Sequence, residues 1–111
     1  MMKKLLSAIL LAIVLAEATL TLPAYAADLV NGAKIFNANC SACHIGGNNV
    51  IIANKTLKKE ALEKYGMNSL DAVKTQVSKG KNAMPAFVGR LSESQIEDVA
   101  SYILEQSQKG W

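Results

Sequence analysis

The sequence predicts an all-α fold, and three observations carry that expectation. No segment alternates apolar and polar residues with period two. Four segments after the N-terminal stretch repeat apolar residues at the period of an amphipathic helix. Three of these close on a glycine (Gly66, Gly80 and Gly110), the residue that most readily adopts the backbone needed to leave a helix.

The first element is a leader. Lys3 and Lys4 form a basic start, and Leu5 to Ala16 is an apolar run broken only by Ser7. Ala24-Tyr25-Ala26, preceded by Pro23, has the small-x-small pattern of a cleavage site. A membrane helix over Leu5–Leu22 is opposed by Glu17, Thr19, Thr21 and Pro23. Residues 1–26 therefore read as a cleaved signal or transit peptide, and 27–111 as one domain. The leader inflates the apolar content of 50%. Removing Lys3, Lys4 and Glu17 from the formal +3 leaves about +2 on the mature chain. That weak charge, with no basic stripe carrying aromatics, argues against a nucleic-acid partner.

The helices follow in order. Asp28 to Asn39 is the first, with Asp28 as cap and Leu29, Ala33 and Phe36 at helical spacing. Gly32 inside it costs about 1 kcal/mol relative to alanine, so close packing against another element is expected there. Ile45 to Asn54, with Gly46-Gly47-Asn48-Asn49, reads as a loop. Thr56 to Tyr65 is the second helix, with Leu57, Ala61 and Leu62 inward and Gly66 at its end. Ser69 to Ser78 is the third, with Asn68 as cap and Leu70, Val73 and Val77 on its apolar side. Lys81 to Arg90 is a loop holding Pro85 and Gly89. Ser92 to Gln108 is the fourth, opened by the capping box Ser92-x-x-Gln95 and carrying Ile96, Val99, Ala100 and Ile103 as one stripe.

The chemistry lies between the first helix and the loop. Cys40-Ser41-Ala42-Cys43-His44 has the form C-x-x-C-H, the attachment signal for a c-type haem. Two thiols at this spacing on a short turn can each form a thioether to one porphyrin vinyl group. The adjacent histidine then supplies an axial nitrogen to the iron. Cys40 and Cys43 are the chain's two cysteines and His44 its one histidine. The competing meanings of C-x-x-C are a thioredoxin-like redox site, half of a zinc site and a short disulfide. The first lacks a βαβ context, the second lacks further ligands, and the third gives His44 no role.

A second axial ligand cannot be histidine. Of Met67 and Met84 in the mature domain, Met84 precedes Pro85, which biases it toward extended backbone suited to crossing the face of a planar group. A thioether there completes a His/Met iron with no open coordination position. Met67 follows Gly66 and reads as packing, the common use of methionine.

With these motifs the mature chain resembles the small class I cytochromes c, and among them the cytochrome c6 family of cyanobacteria and algal plastids. The matching stretches include Gly32-x-x-Ile35-Phe36-x-x-Asn39-Cys40, Cys43-His44-x-Gly46-Gly47-x-Asn49 and Lys55-Thr56-Leu57. They continue through Gln76-Val77-x-x-Gly80-Lys81-x-Ala83-Met84-Pro85-Ala86-Phe87, Arg90-Leu91-Ser92 and the terminal Trp111. The resemblance implies the class I cytochrome c fold, four helices wrapped around one covalently bound haem c with its iron. It implies a soluble, mainly monomeric electron carrier of the thylakoid lumen, without stable membrane insertion. Its donor would be cytochrome f of the cytochrome b6f complex and its acceptor photosystem I. It also implies packing of Gly32 and Phe36 on Val99 and Tyr102, a place for Gln76 near the axial sulfur, Lys55 near a haem propionate and Arg90 in docking. Ala53 departs from the proline of many relatives. Two other functions stay open: a periplasmic cytochrome serving a terminal oxidase, and an open-site enzyme or gas-binding haem protein. The second would require that Met84 not bind. The sequence offers it no catalytic base, distal histidine or substrate pocket, so an enzyme is not expected.

Overall fold

The computed structural model describes residues 27–111; the leader assigned to 1–26 lies outside the described residues. Among the described residues five helices follow one another: α1 Leu29–Asn39, α2 Ser41–His44, α3 Lys59–Lys64, α4 Leu70–Lys79 and α5 Glu93–Lys109. A 3₁₀ turn, Ile45–Gly47, follows α2. Among the described residues there is no strand, only the isolated bridges Lys81–Met84 and Val88–Leu91. No helix among them is long and apolar enough to cross a membrane.

Four helices match the periodicity, and α2 is additional. It arises because the chain leaves helical geometry only briefly at Cys40 (φ −116°, ψ −31°). The Cys40 carbonyl then accepts from the amides of both Cys43 and His44, which closes one more turn. Two boundaries also differ from the sequence expectation. Helix α3 begins at Lys59 rather than Thr56, because the Leu57 amide donates to the Gly47 carbonyl at 2.8 Å and Thr56 Oγ1 accepts from the Lys58 amide. These bonds hold 56–58 in a turn. The cap of α4 is Ser69, not Asn68: its hydroxyl accepts from the Ala72 amide at 3.2 Å.

Helices α1 and α5 cross at Gly32. A side chain there would overlap the Asp98 carbonyl and Tyr102 Cβ, so only glycine allows the backbones this close. Asp98 also accepts from the Asp28 amide and from Asn31 Nδ2, both at 2.9 Å, tying the start of α1 to α5. Asp28 itself caps α1 by accepting from the Asn31 amide. Leu29 stays exposed; the inward face is Gly32, Ile35 and Phe36. Phe36 and Tyr102 meet with centroids 5.6 Å apart. Val99 is fully buried at the centre of the core. The capping box of α5 is complete, Ser92 Oγ accepting from the Gln95 amide and Gln95 Oε1 from the Ser92 amide.

Candidate cofactor site

All five helices and the two loops contribute to the lining of a cleft whose empty space, open mouth included, is about 1430 Å³. Its walls are mainly apolar, with Phe36, Leu57, Leu62, Val73, Val77 and Phe87 among them. Six of the seven residues singled out from sequence line it: Cys40, Cys43, His44, Lys55, Gln76 and Met84. Arg90 does not. It is exposed, and its guanidinium carbon lies 5.9 Å from the ring centroid of Phe87, which does line the cleft.

The proximal wall is built by α2 and the turn after it. Cys40 is buried and Cys43 exposed. Burial pushes the Cys40 thiol up to about 11, so at neutral pH it faces the cleft uncharged. His44 Nδ1 donates to the Asn48 carbonyl at 2.9 Å. That bond fixes the proton on Nδ1 and leaves the Nε2 lone pair available to a metal. Asn49 shapes the next stretch: its Oδ1 accepts from the Ile51 and Ile52 amides, and its Nδ2 donates to the Lys55 carbonyl.

Another part of the lining comes from the loop after α4, through Lys81–Pro85 and Phe87. Gly80 ends α4 at φ +67°, and the backbone of 84–86 lies so close that a side chain at 80 would overlap it. Lys81 and Met84 then exchange backbone hydrogen bonds of 3.0 and 2.9 Å around Asn82, which sits at φ +53°. Asparagine tolerates that left-handed backbone better than most residues. The half-buried Met84 thereby lines the cleft, and Gln76 Nε2 donates to its Sδ at 3.9 Å. Lys55 Nζ stands 5.5 Å from the centroid of Tyr65 at the cleft wall.

Tyr65, Met67 and Asn49 also line the cleft, and sequence reasoning did not single out the first or third as site residues. Met67 is half-buried there, as Met84 is. The Asn48 carbonyl contributes through the backbone, so no side-chain signal marked it.

The residues present fit a covalently held haem. Two thiols and a histidine with a free Nε2 share one wall, a thioether stands on another, and apolar side chains flank the space between. Among the described residues no three of His, Cys, Asp and Glu come together, so the donor set does not suit a protein-only zinc site.

Comparisons with known proteins agree with a bound haem c. A family model described as cytochrome c oxidase, cbb3-type, subunit III matches residues 27–103. Cytochrome c6 of a Synechococcus species is 63% identical over 110 residues, 99% of this chain and 98% of that one. Cytochrome c6 of Parathermosynechococcus lividus is 68% identical over 85 residues, 77% of this chain and 98% of that one. The crystal structure of cytochrome c6 from the diatom Phaeodactylum tricornutum superposes with a TM-score of 0.74 at 53% identity, covering 76% of this chain and 99% of that one.

Proposed function

The chain belongs to the cytochrome c6 family, an electron carrier with one covalently bound haem c, and on that premise we propose that it carries electrons from cytochrome f of the cytochrome b6f complex to photosystem I. The observation that carries the reading is the placement of His44 and Met84 on the lining of one cleft beside Cys40 and Cys43. The haem supplies a one-electron iron couple when bound.

The chain's own residues do the rest. Cys40 and Cys43 would anchor the ring edge from one helical turn. His44, oriented by the Asn48 carbonyl, would offer Nε2 as one ligand to the iron. Met84 would offer its sulfur as the other, positioned by the 81–84 turn and the Gln76 amide. With His44 and Met84 both held as ligands, no position on the metal would be left for a substrate, which suits outer-sphere transfer. The working chain would begin near Ala27 after export to the lumen.

A second reading, donation to a terminal oxidase, is favoured by the oxidase-subunit description of the matching family model. Second-order oxidation rates of the reduced protein with photosystem I particles and with oxidase membranes separate the two. Fast oxidation by photosystem I is expected. Turnover only with the oxidase would replace the photosynthetic assignment.

A further inference from the structure

The last residue of the chain is tied to the turn that orients His44. Trp111 leaves α5 through Gly110, at φ +92°, and its ring lies against Gly47 so closely that a side chain at 47 would overlap the indole. Gly47 itself has φ +78°. The indole Nε1 donates to the Leu57 carbonyl at 3.0 Å. The Leu57 amide in turn donates to the Gly47 carbonyl at 2.8 Å. Trp111, Leu57 and Gly47 therefore form a closed set of contacts. The residue after Gly47 is Asn48, whose carbonyl holds the His44 Nδ1 proton. On its other side Trp111 is braced by Phe36, at 5.1 Å between centroids, and by Tyr102, edge-on at 6.0 Å. Those two rings belong to the α1–α5 crossing. The indole thus couples the rigid helix crossing to the loop on the proximal wall.

We propose that Trp111 is a positioning residue for His44: by clamping the 45–48 turn it keeps the Asn48 carbonyl on Nδ1, and so sets the donor strength of Nε2 toward the haem iron. The proposal rests on the reading of His44 as an axial ligand. A histidine that donates its second ring N–H to a carbonyl is oriented and made a stronger base. A stronger nitrogen donor favours ferric iron. Loosening the clamp therefore weakens the donor and raises the reduction potential. Entry of water alone stabilises the more charged ferric state and lowers it, so the sign separates the two effects.

Trp111→Phe keeps an aromatic ring beside Gly47 and removes the Nε1–H. Gly47→Ala disturbs the same contact from the other side. Both are read in the haem-loaded protein by redox titration and by exchange of the His44 Nδ1 proton in the reduced state. The expected result is exchange about tenfold faster in either variant. The ferrous-to-ferric ratio at fixed potential should rise about threefold, equivalent to about +28 mV at 59 mV per tenfold. Unchanged exchange and potential, even with lower resistance to denaturant, would reduce Trp111 to a packing residue and overturn the proposal; so would a fall in potential with unchanged exchange. A wild-type His44 ring lacking any haem ring-current shift would instead overturn the ligand reading beneath it.

Discussion

Gln76 donates its side-chain amide to the sulfur of Met84 across 3.9 Å, joining the inner face of α4 to the loop that follows it. The two meet because Gly80 ends α4 with positive φ and lets the backbone of 84–86 fold back against it. A donor dipole directed at this sulfur places positive charge near the iron that Met84 is proposed to bind, and so disfavours the ferric state. Gln76→Leu should lower the reduction potential. A net hydrogen-bond contribution of about 1 kcal/mol corresponds to about 40 mV for a one-electron couple at 59 mV per tenfold. Potentiometric titration checks it; a potential equal to or above that of the wild type would remove Gln76 from the tuning of this site.

Met84→Ala should leave iron five-coordinate or water-ligated. The long-wavelength absorption of the oxidised protein that reports sulfur ligation should vanish, and the potential should drop, because a thioether favours ferrous iron. Met67 lines the same cleft, so it is the fitting control. Met67→Leu keeps the apolar volume and should leave both properties as they are. An exchange of the two behaviours would assign the ligand to Met67 instead.

The parts of this fold that were legible are those set by local chemistry. Asp28 caps α1, Ser92 and Gln95 form their box, and Gly66, Gly80 and Gly110 all adopt positive φ where helices end. The C-x-x-C-H spacing and the Met84-Pro85 step mark two stretches of sequence that line the cleft. What stayed hidden depends on contacts distant in sequence. Thr56–Lys58 carries a helical pattern, but the Leu57 amide is claimed by Gly47, ten residues earlier. Asn68 and Ser69 are both capping types, and sequence cannot decide between neighbours. The Asn48 carbonyl acts through the main chain and has no residue signature. Trp111 stood out as a matching residue, yet its bond to Leu57 could be found only in the folded chain.

Gly32→Ala should destabilise the protein with little change in its spectrum. The added methyl would meet the Asp98 carbonyl and Tyr102 Cβ, and α1 would have to move off α5. Overpacking of this kind costs about 1–3 kcal/mol, and alanine's better helix propensity offsets about 1 of that. A net loss of up to about 2 kcal/mol in denaturant titration is expected. Stability at or above the wild-type value would mean that the crossing tolerates a wider separation than the structure has.

Arg90 is the remaining residue of interest outside the cleft. Its guanidinium rests over Phe87, a cleft-lining side chain, so its charge stands one side chain away from the proposed haem. The net charge of residues 27–111, about +2, is too small to steer association by itself, so a local charge has to do so. Reversing it in Arg90→Glu should slow reduction of photosystem I without altering the spectrum or potential, since no axial ligand is touched. An exposed charge contact contributes about 0.2–1 kcal/mol, and reversal replaces attraction with repulsion. A decrease of about fivefold in the second-order rate at low salt is therefore expected, with Arg90→Gln intermediate. The difference should shrink as ionic strength passes 0.1 M, where the screening length is about 10 Å. Laser-flash kinetics across a salt series measures this directly. Equal rates for the wild type and Arg90→Glu at the lowest salt would exclude Arg90 from the docking surface and leave the cleft mouth around Lys55 and Tyr65 as the next face to test.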